Sequence, residues 1–312
     1  MTMTRDAIPG ERPPSRRNGP GDSVGDADRA AREGGRQAGR SEVRRVGALA
    51  PTLVGLGAAC VVVAVVGVVW THLGQRADER SRWSIALPDE TRAAVMDWLD
   101  LVSVPFVAVG MIAAVVLALV QGRVRRAAAA GLLVAGANVT TQVLKAGIPR
   151  PFYGIGSDNS LPSGHTTVLV SLSLAAILVL PRPLRAPAVF LASAVGTFTG
   201  AAVVVERWHR PSDVVAAFGV CGLWAGLALL VAGAVHVGRV RPARRFWLHL
   251  ACGLVGAAVV GALLVAGGLV AHGETTNVLV GGVMLTVLGL SSALLCALVA
   301  VGADSRDAPR AG

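Results

Sequence analysis

Long runs of Ala, Val, Leu and Gly, separated by short polar or charged segments, dominate the pattern of hydrophobic and polar positions along this chain. A helix needs about 20 consecutive apolar residues to cross the hydrocarbon core of a membrane. The runs do not alternate with a period of two, as the strands of a membrane barrel would. The pattern therefore predicts eight spans, over roughly residues 47–71, 99–121, 127–147, 165–180, 187–205, 213–236, 247–270 and 278–302.

These spans predict an all-α, polytopic membrane helix bundle. We expect a six-span core over residues 46–236 and an additional two-span C-terminal hairpin over residues 237–302. Residues 1–45 mix ten arginines with seven acids without apolar periodicity, which is typical of a disordered tail, and residues 303–312 form a second polar tail. A short helix that begins at Pro88-Asp89-Glu90 is expected at the membrane surface before the second span.

The distribution of charge mainly predicts how the protein is oriented in the membrane. Only 15% of the residues are charged, against about 25% in soluble domains. The net charge of +10 could suggest a nucleic-acid partner, but arginines in alternate loops explain it better, so we expect no nucleic acid. The positive-inside rule makes the clusters at 123–126, 182–185 and 239–245 cytoplasmic, together with both termini. The sequence thus predicts a multi-pass protein of the cell membrane, with loops 148–164 and 206–212 outside.

Several chemically distinctive residue types have ordinary structural interpretations. Four cysteines lie in apolar runs without metal-site spacing and are interpreted as small core residues: Cys60, Cys221, Cys252 and Cys296. Four tryptophans lie at predicted interfaces and are interpreted as an aromatic belt: Trp70, Trp98, Trp208 and Trp247. Four histidines are interpreted as interfacial residues without acidic partners: His72, His236, His249 and His272.

A polar, turn-rich stretch from Lys145 to His165 interrupts the apolar pattern. It holds the only lysine of the chain, followed by Arg150 between two prolines, and both cations suit the oxygens of a phosphate. Snorkelling to headgroups is the alternative for Lys145. Ser163-Gly164-His165 comes at the predicted start of the fourth span, where a hydroxyl and free N–H groups can bind an anion. An ordinary N-cap is the alternative for Ser163.

A second histidine, His209, lies four residues before Asp213 at the start of the sixth span. At this spacing a carboxylate can fix the tautomer of the imidazole and increase its nucleophilicity, although a structural pair is the alternative. Two histidines and one aspartate could bind zinc, but Lys145 and Arg150 would repel a cation. We therefore expect neither a metal nor a cofactor.

The three pieces together resemble the signature of the type-2 phosphatidic acid phosphatase superfamily, which includes the vanadium haloperoxidases. Its pattern is Lys-x6-Arg-Pro, then Pro-Ser-Gly-His, then Ser-Arg-x5-His-x3-Asp, in this order. The resemblance covers about residues 95–236. It differs at two points: the first spacing is Lys145-x4-Arg150-Pro151, and the Ser-Arg pair falls on Ala202-Val203.

The resemblance implies roles for these residues. His209 would attack phosphorus and form a phosphohistidine, Asp213 would orient it, and His165 would protonate the leaving oxygen and then activate water. The phosphoryl oxygens would be held by Lys145, Arg150, Ser163 and Gly164. The family arginine is missing at Val203, and the nearby Arg207 or Arg210 could substitute for it from a different backbone position.

Two hypotheses of function follow. The first is a metal-independent phosphatase of the outer membrane face that acts on a lipid phosphate or a polyprenyl (pyro)phosphate. The second is a catalytically weak or inactive lipid-phosphate-binding protein, a scaffold or transporter, and Val203 is its best support. A small-molecule transporter with inverted repeats is not favoured, because the sequence shows no such repeat.

Overall fold

The structure is a computed structural model that describes residues 48–155, 159–233, 242–271 and 275–305. Within these ranges it contains ten α-helices, one π-helical segment and one pair of two-residue strands. In chain order the elements are α1 (Leu49–Val63), the π-helical segment (Ala64–Val69), α2 (His72–Arg82), β1 (Ile85–Ala86), α3 (Asp89–Asp100), α4 (Val104–Val120), α5 (Val124–Gly147), α6 (Gly164–Val179), α7 (Arg182–Val205), α8 (Pro211–Ala232), α9 (Pro242–Ala266), β2 (Val270–Ala271) and α10 (Thr275–Asp304). The prediction of an all-α polytopic bundle is confirmed.

Six of the described helices are long and apolar enough to cross a membrane: Leu49–Val69, Val124–Gly147, Arg182–Val205, Pro211–Ala232, Arg244–Ala266 and Asn277–Asp304. The other two predicted spans differ from this simple form. The short helix predicted to begin at Pro88-Asp89-Glu90 is α3, and it forms a bent pair with α4, the helix of the second span, which it meets at 61° across a short break. The fourth span, α6, is apolar but has only 16 residues. The eight apolar runs therefore correspond to six long helices, one bent pair and one short helix.

Short polar residues set several helix ends. The Ser103 hydroxyl accepts a hydrogen bond from the Phe106 N–H and so begins α4 after the bend. The Asp213 carboxylate, in the first turn of α8, accepts one from the Arg210 N–H at 2.8 Å. At the other end of α8, Gly233 has a φ of 77°, a left-handed conformation that glycine adopts without steric cost. The ends of α8 are thus fixed by local chemistry.

Small residues let α1 approach the central helix α8 closely. A Cβ added to Gly57 would lie 2.5 Å from the carbonyl oxygen of Gly219, and one added to Gly226 would lie 2.6 Å from that of Ala50. Such backbone-to-backbone packing is typical of membrane helices. Because α8 also packs against α5, α6 and α10, its N-terminal turn has a fixed place in the bundle.

The connections that carry the candidate chemistry meet at one end of the bundle. The Trp70 indole donates to the Pro149 carbonyl at 3.1 Å, and the Gln75 amide donates to that of Pro151 at 2.9 Å. At the same end, β1 pairs antiparallel with β2. We call this end, formed by residues 70–103, 148–155, 159–163, 206–212 and 267–271, the site end.

The opposite end of the bundle corrects one expectation. His249 is 1% exposed, and its Nε2 lies 3.0 Å from Asp304 Oδ2. Arg185 Nη1 and Arg245 Nη1 contact the same carboxylate at 2.7 and 3.0 Å. The expectation that His249 lacks an acidic partner is therefore wrong, because α9 and α10 bring residues 55 positions apart into contact. The predicted tail 1–45, residues 306–312, His236 and His272 lie outside the described residues.

Candidate phosphate-binding site

His209 and Asp213 form a buried pair at the start of α8. His209 is 5% exposed, and its Nδ1 lies 3.3 Å from Asp213 Oδ2. The His209 backbone N–H donates to the Val203 carbonyl at 3.1 Å, which fixes the turn before the helix. The contact at Nδ1 leaves Nε2 as the nitrogen with a free lone pair when the ring is neutral and Nδ1 carries the proton. The sequence predicted this pairing from the spacing of four residues.

The same carboxylate connects the two halves of the candidate site. Ser160 Oγ donates to Asp213 Oδ2 at 2.6 Å, and the Ser163 N–H donates to the Asp213 carbonyl at 3.0 Å. These two bonds hold the connection before α6 against the first turn of α8. The Ser-Gly-His motif and the His–Asp pair therefore lie together, as their placement on one side of the membrane predicts.

The start of α6 is open to an incoming group. The Ser163 hydroxyl accepts hydrogen bonds from the Thr166 N–H at 3.4 Å and the Thr166 hydroxyl at 3.0 Å, so it is an N-cap. A Cβ built on Gly164 would have no heavy atom within 4 Å. The half-buried His165 ring lies 5.2 Å from the Trp208 ring, and the charges of His209 and Lys145 act on it. Trp208, which the sequence predicts at the membrane interface, thus also packs beside the His165 ring of the candidate site.

Arg150 and Lys145 differ in their surroundings. The Lys145 side chain is exposed in the last turn of α5. All three guanidinium nitrogens of Arg150 are buried, and none has a hydrogen-bond partner among the described residues. Burial lowers the pKa of Arg150, as does the neighbouring Arg210 charge, whereas Asp213 acts in the opposite direction. A guanidinium remains charged in proteins, so Arg150 places an unpaired positive charge close to Asp213.

The two arginines considered as replacements for the missing family cation point in different directions. Arg210 Nε lies 2.8 Å from Glu79 Oε2, and Arg210 Nη1 donates to Ser160 Oγ at 3.0 Å. Arg207 donates to the Ile85 carbonyl at 2.8 Å and lies 4.4 Å above the Trp83 ring. Arg210 therefore lies beside the partner of Asp213, whereas Arg207 is directed toward the α2–β1 connection. Val203 is fully buried in the apolar core.

Residues 126–236 match the family model of the PAP2 superfamily. The match runs from the first turn of α5 to just beyond α8 and includes every site residue predicted from the sequence. It confirms the resemblance drawn from the three motifs. Comparisons with curated proteins and with solved structures gave no match. Among the described residues, no group of three or more His, Cys, Asp or Glu side chains could hold a metal ion.

Three residues next to the candidate site were missed by the sequence analysis; we call residues 126–236 the PAP2 segment. Ser160 lies inside the PAP2 segment, but Asp78 and Glu79 lie outside it, on α2. Asp78 accepts hydrogen bonds from the Ser212 N–H at 3.0 Å and from its hydroxyl, and Glu79 accepts from Arg210. The sequence did contain one general signal, because a cluster of arginines needs acidic side chains nearby. It could not show which acids pair with this cluster, because Asp78 and Glu79 are separated from their partners by more than 130 residues along the chain.

Proposed function

We propose that this protein is a membrane phosphatase that hydrolyses a lipid phosphate or pyrophosphate, without a metal ion, through a phosphohistidine. The PAP2 match supports phosphatase-type activity and a phosphate-containing substrate. The candidate spans support a multi-pass membrane protein. The positive-inside pattern supports a site at the outer face of the cell membrane, with both termini in the cytoplasm.

One observation carries the proposal: the buried guanidinium of Arg150, which has no hydrogen-bond partner among the described residues, lies close enough to Asp213 for their charges to interact, and Asp213 contacts His209. A buried cation without a partner is costly, and such a cost is typical of functional sites. Arginine is suited to the equatorial oxygens of a phosphoryl group because its donors form a planar fork. The pair supplies the nucleophile and its orienting carboxylate at the same place.

Four other groups complete the proposed cradle. The Ser163 hydroxyl, which accepts two bonds, still has its own proton to donate. The open first turn at Gly164 presents backbone N–H groups. Lys145 adds a flexible charge, and Arg210 adds one that is already held by Glu79. Arg207 would have to leave its contacts with Trp83 and Ile85 to take part.

The reaction then follows in two steps. His209 Nε2 attacks phosphorus, a P–N bond forms, the P–O bond to the lipid breaks, and His165 donates a proton to the leaving oxygen. Next, His165 takes a proton from a water molecule, whose oxygen attacks phosphorus and breaks the P–N bond. Inorganic phosphate leaves, and both histidines return to their starting states. Positioning and charge stabilisation account for most of the rate in such phosphoryl transfers.

An amphiphilic substrate fits the surroundings of the site. Phe152, two residues after Arg150, is 73% exposed, and Tyr153 and Trp208 are also exposed. Exposed aromatic side chains are favourable at the headgroup level of a bilayer. A substrate whose tail stays in the bilayer would bring its phosphate to this depth.

The test is phosphate release by the purified protein from phosphatidic acid, phosphatidylglycerol phosphate and polyprenyl (pyro)phosphates, with and without a metal chelator. His209→Ala is expected to lower the rate by at least about 10³-fold, as loss of a nucleophile does. The matched control is His72→Ala, because His72 is an exposed histidine at the same end. Acid-quenched wild-type protein should carry phosphohistidine. Binding of these lipids without release, equal in wild type and His209→Ala, would instead support the non-catalytic binder.

A further inference from the structure

The helix α2, which lies outside the PAP2 segment, packs against the segments that carry the candidate site residues. Gln75 is fully buried and donates to the carbonyls of Val69 and Pro151. Asp78 accepts from the backbone N–H and the hydroxyl of Ser212, so it caps the first turn of α8 from a distant part of the chain. Both contacts fix α2 against segments that carry site residues.

Glu79 begins a continuous chain of polar contacts that ends at the nucleophile. Its Oε2 lies 2.8 Å from Arg210 Nε, and Arg210 Nη1 donates to Ser160 Oγ at 3.0 Å. Ser160 donates to Asp213 Oδ2 at 2.6 Å, and this atom lies 3.3 Å from His209 Nδ1. Every link is within hydrogen-bond distance, and Asp213 is fully buried.

The position of Glu79 is itself well determined. Its second oxygen, Oε1, accepts from the Trp83 indole at 2.9 Å and from Arg82 at 3.2 Å. Hydrogen bonds from Trp83 and Arg210 lower the pKa of Glu79 below its ordinary value, although burial acts in the opposite direction. A carboxylate with both oxygens bound can hold a guanidinium in one orientation.

We propose that Glu79 is a positioning residue of the phosphatase site, which acts through Arg210 and Ser160 on the Asp213–His209 pair. The inference rests on the proposed function. Without the Glu79 charge, the Arg210 guanidinium is drawn to the Asp213 carboxylate itself. Asp213 then shares its oxygens between Arg210 and His209, and the imidazole loses its fixed orientation.

The kinetic test is Glu79→Gln, which keeps the size of the side chain and removes its charge. We expect kcat to fall by about 10-fold to 100-fold, the scale of a small misplacement of a reacting group. KM and inhibition by inorganic phosphate should change less than about threefold, because Lys145, Arg150, Ser163 and Gly164 still hold the phosphate when Arg210 shifts toward Asp213. Arg210→Gln combined with Glu79→Gln should lower kcat no further than Arg210→Gln alone. The control is Glu90→Gln, since Glu90 is exposed on α3.

Two outcomes would overturn this role. An unchanged kcat in Glu79→Gln shows that the contact is merely structural. Tighter inhibition by inorganic phosphate shows instead that Glu79 competes with the anion for Arg210. If Glu79→Gln does not fold, Trp83→Phe removes the indole donor to Oε1 while it keeps an aromatic ring beneath Arg207, and it should also lower kcat.

A readout without turnover separates this inference from the proposed function. The ¹⁵N NMR signal of the His209 Nδ1, assigned with His209→Gln, should shift in Glu79→Gln while that of His72 does not. A shift in a protein that releases no phosphate refutes the phosphatase but keeps the positioning chain. An unshifted His209 signal refutes the chain, whatever the activity.

Discussion

Arg150 combines buried guanidinium nitrogens with the absence of a hydrogen-bond partner among the described residues. Buried polar groups are almost always paired, because an unpaired one keeps the full cost of desolvation. Binding of an anion would offset that cost, whereas folding alone does not benefit from it. At this residue, stability and function are therefore expected to oppose each other.

The first prediction concerns Arg150→Met. Loss of the cation should lower phosphate release by about 10²-fold to 10³-fold, the scale for one electrostatic donor. The melting temperature in detergent should stay the same or rise, because a buried guanidinium without a hydrogen-bond partner among the described residues is removed. Arg76→Met, an exposed change on α2, is the control and should alter neither quantity. A variant that unfolds at lower temperature while it retains activity would contradict the assignment.

A second prediction follows from Asp78. Burial and the neighbouring Asp213 charge raise its pKa to about 6, against the lowering effects of the Ser212 hydrogen bonds and of Arg210. The folded state therefore keeps this proton up to a higher pH than the unfolded state does. Stability attributable to Asp78 is then fully present below about pH 4 and is lost as the pH rises through about 6.

The corresponding measurement is the melting temperature of wild type and Asp78→Asn between pH 4 and 7. As the pH rises, the free energy of unfolding of the variant should increase relative to that of wild type, by up to about 3 kcal/mol for a shift of about two pKa units. Asp97→Asn, an exposed change on α3, should run parallel to wild type. A constant difference between wild type and Asp78→Asn would show that Asp78 titrates alike in both states.

At this scale the sequence predicted most residues of the candidate site, and the limit of that prediction has a clear physical reason. Lys145, Arg150, His165, His209 and Asp213 belong to motifs with short internal spacing, which local geometry can interpret. Ser160 carries no such signal, because a serine in a loop is commonplace. Asp78 and Glu79 meet the site only through tertiary contacts with Ser212 and Arg210.

At the scale of elements, apolar length predicted the long helices well because one physical quantity, the thickness of the membrane, sets it. The sequence predicted α3 as a separate short helix before the second span, but not the angle of 61° at which α3 meets α4. The sequence also did not predict α2, which lies in the connection of mixed charge between the first two predicted spans. This helix has a Thr71 N-cap but a polar surface, and its place depends on the tertiary contacts of Gln75, Asp78 and Glu79.

The third prediction tests the first turn of α6 as an anion site. Gly164→Ala adds a methyl group where no heavy atom lies within 4 Å, so the fold should be kept and gain up to about 1 kcal/mol. The same methyl group would obstruct an approaching phosphoryl oxygen. We therefore expect weaker inhibition by inorganic phosphate and slower release.

The matched control is Gly282→Ala in α10, another helical glycine whose Cβ would meet nothing within 4 Å. It should stabilise the protein to a similar extent and leave phosphate inhibition unchanged. Equal activity of the two alanine variants would show that no anion approaches Gly164.

At the scale of the whole molecule, the two ends of the bundle have different charge chemistry. At the site end, Arg92 and Arg210 each pair with a separate carboxylate, whereas Arg150 has no hydrogen-bond partner among the described residues. The opposite end gathers Arg185, Arg245 and His249 around the single carboxylate of Asp304. The sequence assigned these arginines to cytoplasmic loops, and their convergence could not be predicted because it requires α7, α9 and α10 to meet.

The last prediction separates the two ends. Arg185 is fully buried against Asp304, so Asp304→Ala leaves a buried charge without this partner and should destabilise the fold by about 3–5 kcal/mol. Phosphate release per folded molecule should not change, because the cluster lies at the end opposite to His209.

The double variant Arg185→Met/Asp304→Leu should recover much of the lost stability, since well-packed apolar residues can replace a buried ion pair. Melting temperature and single-turnover rate, measured on the same preparations, decide the matter. A fall in the single-turnover rate of Asp304→Ala at temperatures where it is folded would mean that the two ends are coupled through the bundle.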